Sequence, residues 1–333
     1  MKKIKVAING FGRIGRHACK IALAKKNIEV VAINDLTDNE TLAHLFKYDS
    51  AYGTYKKEVK AGKDSITIGT NRIKVFAEKN PKNLPWKKLK VDVVLECTGV
   101  FRTKKDASLH IKAGAKKVLI SAPAKGDGVS SYVKGVNHKN IDSTQTIFDN
   151  ASCTTNCTAP IMKVLEDNFG IEKALLTTVH AYTADQRLQD APHKDLRRAR
   201  AAAQNIIPTS TGAAVATCRA IPTLANKFDG MAMRVPTITV SLVDISIVLS
   251  QEVTVKKLND AFTLASKKQL KGVLDVTNEP LVSSDFIGNA HSATVDLELT
   301  KVVGGDLVKI VAWYDNEWGY ASRLVDMLQI ISV

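Results

Sequence analysis

The run Gly10-Phe-Gly12-Arg-Ile-Gly15 narrows the fold of this chain more than any other segment does, because of what lies on either side of it. Lys3–Asn9 alternates and leads straight into the glycines, and Ile14, Cys19, Ile21, Ala22 and Leu23 can then line one face of a helix. Strand, glycine turn and helix are the opening of a dinucleotide-binding unit. Gly10 permits the tight turn, Gly12 lets the backbone approach a pyrophosphate, and Gly15 lets the helix pack closely on its strand. The helix N-terminus then faces the phosphates. The glycine motif alone is weak, but a second apolar strand, Ile28–Ile33, ends in Asn34-Asp35, and Asp35 follows Gly15 by 20 residues, the distance to a ribose-binding acid. A carboxylate at Asp35 accepts hydrogen bonds from a 2′-hydroxyl and repels a 2′-phosphate, so NAD is expected over NADP. The competing role for Asp35 is to cap or end a turn.

Further parallel strands are expected at Val91–Gly99 and Lys117–Ala122, with a crossover helix over 104–115 between them. Ser65–Ile68 and Arg72–Phe76 suggest an antiparallel hairpin added to that sheet. A chain of 333 residues is long enough for two domains with sizeable cores. No apolar run predicts a signal peptide or a membrane span. The five cysteines show no regular spacing, which fits a reducing compartment, and a cytoplasmic location is expected. The net charge of +14 is the outlier and favours an anionic partner, either small phosphorylated molecules or a nucleic acid or acidic surface.

In the second half, Asn150-Ala-Ser-Cys-Thr-Thr-Asn-Cys-Thr-Ala-Pro160 places a cysteine among small hydroxyl residues where an extended segment, 141–148, gives way to an apolar helix marked by Ile161, Val164, Leu165 and Phe169. A thiol at a helix N-terminus feels unsatisfied N–H groups, so a lowered pKa is expected for Cys153. Its competing role is an inert buried cysteine. Cys157 reads as packing, and no further Cys/His pair completes a metal site, so no metal is expected. Ala174–Val179 predicts a strand that delivers His180, 27 residues after Cys153, and an imidazole is the usual partner for activating a thiol.

Five separated segments carry a resemblance over essentially the whole chain: residues 9–16, Ala151–Cys157, His193–Arg200, Gly230–Pro236 and Trp313-Tyr-Asp-Asn-Glu-Trp-Gly-Tyr320. Together the chain resembles a phosphorylating glyceraldehyde-3-phosphate dehydrogenase of the NAD-preferring type. The resemblance implies a Rossmann-type doubly wound domain plus an α+β catalytic domain with a mostly antiparallel sheet. It implies Cys153 as nucleophile and His180 as general base. It also implies an attacking-phosphate site at Ser152, Thr154, Thr211 and Gly212, and a substrate-phosphate region at Thr183, Asp185, Arg198 and Arg234. Arg197 and Arg200 stand close enough in sequence to compete with Arg198. The positions matching those that line NAD are Gly10, Gly12, Arg13, Ile14, Asp35, Lys79, Thr98, Gly99, Ser121 and Asn316. Leu36 and Pro192 resemble NAD-preferring members. Ala191 departs from the Leu that many of them carry, and Lys79 from an Arg, which keeps the charge but loses the planar fork.

What the resemblance implies is oxidation of glyceraldehyde 3-phosphate with inorganic phosphate to 1,3-bisphosphoglycerate, by a homotetramer. The alternatives are a relative acting on erythrose 4-phosphate, and a secondary role in binding RNA or an acidic surface. The domains are expected at 1–151 and 152–316, with a terminal helix over 317–333 packing back on the first. Leu324, Leu328 and Ile331 support that helix.

Overall fold

The computed structural model describes residues 3–332. Two compact bodies are present. One comprises the chain up to Tyr132, Asn140–Ala151 and the chain from Ala321 onward; the other comprises Val133–Lys139 and Ser152–Tyr320. Residues Val133–Lys139, expected in the first domain, group with the second because Gly135 lies against the side chains of Leu270 and Val273.

The first body is built on a nine-stranded sheet. Its order is Ser130–Ser131, Ile147–Asp149, Lys117–Ile120, Val93–Glu96, Ile4–Asn9, Ile28–Asn34, Asn71–Phe76, Ser65–Ile68 and Val59–Ala61. Pairing is parallel as far as Asn71–Phe76, and the hairpin beyond it is antiparallel. Alternating side chains explain why the sheet is covered on both faces. Val6, Ile8, Val93, Leu95 and Leu119 enter one core with Ala18, Leu324, Leu328 and Ile331. Ala7, Val94, Val118 and Ile120 enter another with Trp86 and Ala107. The terminal helix Trp318–Ile331 thus supplies core to the first body.

The extended segment expected over 141–148 is shorter, with only Ile147–Asp149 as strand. Asp142 is the reason, since its Oδ1 accepts from Thr144 N at 2.9 Å and from Thr144 Oγ1 at 2.7 Å, a local turn that competes with a strand ladder.

The second body is built on an eight-stranded sheet in which Ile207–Ser210, Phe228–Val235, Ile171–Ala181, Ser241–Leu249, Leu307–Tyr314, Ala293–Asp296 and Leu274–Thr277 are successive neighbours, and Lys301–Val303 pairs with Leu307–Tyr314. Most pairs are antiparallel; Ile171–Ala181 with Phe228–Val235 and Leu274–Thr277 with Ala293–Asp296 are parallel. The helix Cys153–Phe169 packs against this sheet and buries Cys157, Ile161, Val164 and Leu165.

Candidate active site

Cys153 is the first residue of its helix, and Ser152 caps it by accepting from Thr155 N at 3.0 Å. His180 lies within the strand Ile171–Ala181, not beyond its end, on the inward-facing register with Leu176 and Thr178. The two side chains meet, with Cys153 Sγ 3.5 Å from His180 Nε2. His180 Nδ1 is 2.7 Å from the carbonyl oxygen of Ala181 and must therefore carry the proton, because a carbonyl only accepts. The Nε2 lone pair is left to face the thiol.

Electrostatics set the resting state of this pair. Burial, then the positive Arg234, lowers the His180 pKa from 6.5 to about 3, so the imidazole is neutral near pH 7. Burial also pushes the Cys153 thiol up, while Arg234 and the amides of Thr154 and Cys153 offset only part of that effect. The lowered thiol expected from the helix start is thus corrected: desolvation of the charged form outweighs the helix-start amides. Cys153 and His180 rest as neutral thiol and neutral base, ready to exchange a proton.

Arg234 is the Cα partner of His180 in the parallel ladder, which explains how one sheet brings both to the thiol. Its Nη1 donates to Thr183 Oγ1 at 3.1 Å and to the Ala181 carbonyl at 3.3 Å. Its Nε is buried without a hydrogen-bond partner, and among the described residues no carboxylate forms an ion pair with it. A half-buried cation so placed suits an anion. Arg198 is more fully committed. It donates to Asp185 Oδ2 at 2.5 Å, to Thr209 Oγ1 at 2.8 Å and to the Ser210 carbonyl at 3.0 Å. Of the three neighbouring arginines, Arg198 is the one whose charge reaches His180, whereas Arg200 pairs with Asp190.

The hydroxyls of Ser152 and Thr154 are already engaged, the first with Thr155 Oγ1 at 2.7 Å and the second with Tyr314 Oη at 2.9 Å. Thr211 accepts from Ala213 N at 3.2 Å, and Gly212 caps the helix Ala213–Ala220. Tyr314 was not marked by the sequence, although it stands within a quoted segment. It also meets Thr178 Oγ1 at 2.9 Å and so ties the residue beside the nucleophile to the strand that carries His180.

In the first body the three glycines answer to three different constraints. Gly10 has φ of +90°, and a Cβ there would lie 2.7 Å from Thr98 N. A Cβ at Gly12 would meet nothing within 4 Å, which leaves open space beside the helix start. At Gly15 a Cβ would lie 2.1 Å from the Gly10 carbonyl oxygen. Asp35 Oδ2 accepts from Phe11 N at 2.7 Å, so the acid is joined to the glycine turn. Arg13 pairs with the buried Asp49 at 2.7 Å. Ile14 packs against the core, Ser121 N bonds the Glu96 carbonyl at 2.9 Å, and Gly99 has φ of +73°. Lys79 is exposed. Asn316 belongs to the second body, where Ser241 Oγ donates to its Oδ1 at 3.0 Å. An open amide turn, a helix start and a carboxylate fit the pyrophosphate and ribose of a dinucleotide. Among the described residues no group of three or more His, Cys, Asp or Glu could hold a metal ion, and no helix is long and apolar enough to cross a membrane.

Residues 4–104 match the family described as glyceraldehyde 3-phosphate dehydrogenase, NAD binding domain, and residues 152–316 match its C-terminal domain. The chain belongs to the glyceraldehyde 3-phosphate dehydrogenase family. It is 52% identical to glyceraldehyde-3-phosphate dehydrogenase from Geobacillus stearothermophilus over 330 residues, covering 99% of this chain and 98% of that one. A Streptomyces coelicolor glyceraldehyde-3-phosphate dehydrogenase is 54% identical over 327 residues, 97% of each chain. Glyceraldehyde-3-phosphate dehydrogenase 2 of Bacillus subtilis is 51% identical over 331 residues, 99% of this chain and 97% of its own length. Within the glyceraldehyde 3-phosphate dehydrogenase family, the thiol–imidazole pair and the glycine turn fall in the two matched regions.

Proposed function

We propose that this chain oxidises D-glyceraldehyde 3-phosphate with NAD and inorganic phosphate to give 1,3-bisphosphoglycerate. The observation that carries the chemistry is the approach of Cys153 Sγ to the unprotonated Nε2 of His180 at 3.5 Å. His180 takes the thiol proton, and the thiolate adds to the aldehyde carbon to form a hemithioacetal. The bound imidazolium then steadies the oxygen on that carbon. NAD supplies the acceptor for the hydride that leaves when the hemithioacetal becomes a thioester. Phosphate attacks the thioester, the carbon–sulfur bond breaks, and the Cys153 thiolate leaves as the acyl phosphate forms. Arg234 with Thr183, and Arg198 oriented by Asp185, hold the substrate phosphate or the adjoining anion.

Ser152, Thr154, Thr211 and Gly212 form the region for attacking phosphate, largely through helix-start amides, because the Ser152 and Thr154 hydroxyls have internal partners. Gly10, Gly12, Arg13, Ile14, Asp35, Lys79, Thr98, Gly99, Ser121 and Asn316 serve the cofactor. The cofactor domain is the first body, with the terminal segment from Ala321 completing it, and the second body, chiefly Ser152–Tyr320, is catalytic. The relatives' names do not favour the erythrose 4-phosphate alternative. NADH absorbance with and without inorganic phosphate tests the reading. Steady turnover is expected only with phosphate, and equal turnover without it would point to hydrolysis.

Two looser properties join the proposal. A homotetramer is supported by the exposed apolar side chains of Leu175, Val179, Met231 and Leu307 on the second sheet, and light scattering of the intact protein checks it. Polyanion binding is supported by a cleft of about 720 Å³ lined by Lys3, Lys25, Lys26, Lys74, Lys88 and Lys90. Among the described residues no aromatic lines that cleft, so any nucleic acid would be held by its phosphates and without base reading. A cytoplasmic setting accords with these roles.

A further inference from the structure

A chain of buried polar groups runs beneath the ends of the parallel strands in the first body, and of its members only Thr98 has a role above. Glu96 lies at its centre. Its Oε2 accepts from Asn9 Nδ2 at 2.6 Å and stands 2.9 Å from His110 Nε2. Its Oε1 accepts from Thr98 N at 2.8 Å and also from the Thr98 hydroxyl. Asn34 Nδ2 donates to Asn9 Oδ1 at 2.7 Å, and Asn34 Oδ1 accepts from Glu78 N at 2.9 Å. At the far end the Trp86 indole donates to His110 Nδ1 at 3.0 Å.

An indole N–H can only donate, so His110 Nδ1 is unprotonated and the ring proton sits on Nε2, aimed at Glu96. The Glu96 carboxyl thus faces four donors: the His110 ring N–H, the Asn9 amide, and the N–H and hydroxyl of Thr98. Glu96 and His110 are no more than 1% exposed. Buried polar groups are costly unless each finds a partner, and a satisfied network of this kind holds its members in one arrangement. The placement of those members gives the arrangement a purpose. Asn9 immediately precedes Gly10, Asn34 precedes Asp35, and Glu78 precedes Lys79, while Glu96 grips Thr98. Each link ends beside a residue assigned to the cofactor.

We propose that Glu96, held in a single orientation by His110 and Trp86, is a positioning residue that sets the strand ends and the 97–100 loop in register for NAD. The proposal rests on the cofactor reading given above. The side-chain partners of Glu96 named above, Asn9, Thr98 and His110, all belong to the first body, so its effect is assigned to cofactor affinity and not to the chemical step.

Calorimetric titration of the full-length protein with NAD, beside kcat at saturating NAD, tests it. Glu96→Gln exchanges an acceptor for a donor and is expected to raise the NAD Kd about tenfold while kcat stays within about twofold. Trp86→Phe releases the His110 tautomer and is expected to raise Kd about threefold. Glu96→Gln and Thr98→Val together are expected to weaken NAD by less than the product of their separate effects, because they break a shared bond. An unchanged Kd in Glu96→Gln, or effects that simply multiply, would overturn the proposal in favour of a purely structural role. Asp35→Asn separates the two readings. An unchanged Kd there removes the cofactor placement and the proposal with it, whereas a weakened Kd beside an unaffected Glu96→Gln removes the proposal alone. If Glu96→Gln does not fold, Thr98→Val and Trp86→Phe, which reach Glu96 from its two sides, make a second cycle: a combined loss of NAD affinity smaller than the product of the separate losses supports the proposal, and losses that simply multiply overturn it.

Discussion

Cys153 and His180 illustrate how far residue chemistry alone can be pushed. Cys153→Ser is expected to lower turnover at least about a thousandfold while leaving NAD affinity near wild type, because a hydroxyl is a far weaker nucleophile. Near-normal turnover of that variant would end the assignment. Arg234→Lys keeps a charge but loses the planar fork, so kcat/KM should fall about tenfold to a hundredfold with little change in NAD affinity. The same substitution tested on an unphosphorylated aldehyde shows which anion the guanidinium serves. His180 also couples to stability. Its folded pKa of about 3 lies below its ordinary 6.5, so between those values the unfolded chain binds the extra proton. The His180 contribution is therefore intact above pH 6.5 and is lost as pH falls toward 3. Denaturant melts of His180→Gln should show a shallower loss of stability over that window, and an unchanged slope would mean the imidazole is not buried neutral. The pairing of thiol and imidazole was legible from their spacing. The direction of the thiol's pKa was not, because desolvation depends on what the sheet packs around it.

Elements were legible where a pattern was local and long. The strand–turn–helix at the N-terminus, the hairpin at 65–76 and the terminal helix all carry periodic apolar positions that need no distant partner to be recognised. The strand at 147–149 is shorter than its apolar pattern predicts because Asp142 closes a turn on Thr144, a side-chain bond that hydrophobic pattern does not report. The glycine turn yields a prediction at this scale. Gly15→Ala should lower the melting temperature sharply, since its Cβ would sit 2.1 Å from the Gly10 carbonyl oxygen. Gly12→Ala should leave melting nearly unchanged but weaken NAD, because its Cβ meets no protein atom and projects into the open space. Equal melting temperatures for the two variants would contradict the different roles given to the two glycines.

Charge acts on the scale of the whole molecule. With a net charge of +14, weak association with RNA should be sequence-tolerant and fall steeply as salt is raised, as counterion release requires. Tight, salt-resistant binding of one RNA sequence would overturn that expectation. Cofactor choice belongs here too, because Asp35 is joined to the glycine turn through Phe11 N. NAD should be preferred to NADP in kcat/KM, and Asp35→Gly should narrow the gap by removing a like charge from the 2′-phosphate.

The sequence by itself determined the family, the nucleotide-binding turn, and the identities of the thiol and base, because each rests on residue types at short spacing or on distinct segments in order. Only tertiary structure decided what shares a neighbourhood across long separations. Tyr314 bonds Thr154 across 160 positions, and Asn9 reaches Glu96 across 87. It also decided that Arg198, and not Arg197 or Arg200, holds Asp185. Such partners are chosen by strand order and register, which follow from the packing of whole sheets, and no local pattern in the chain encodes them.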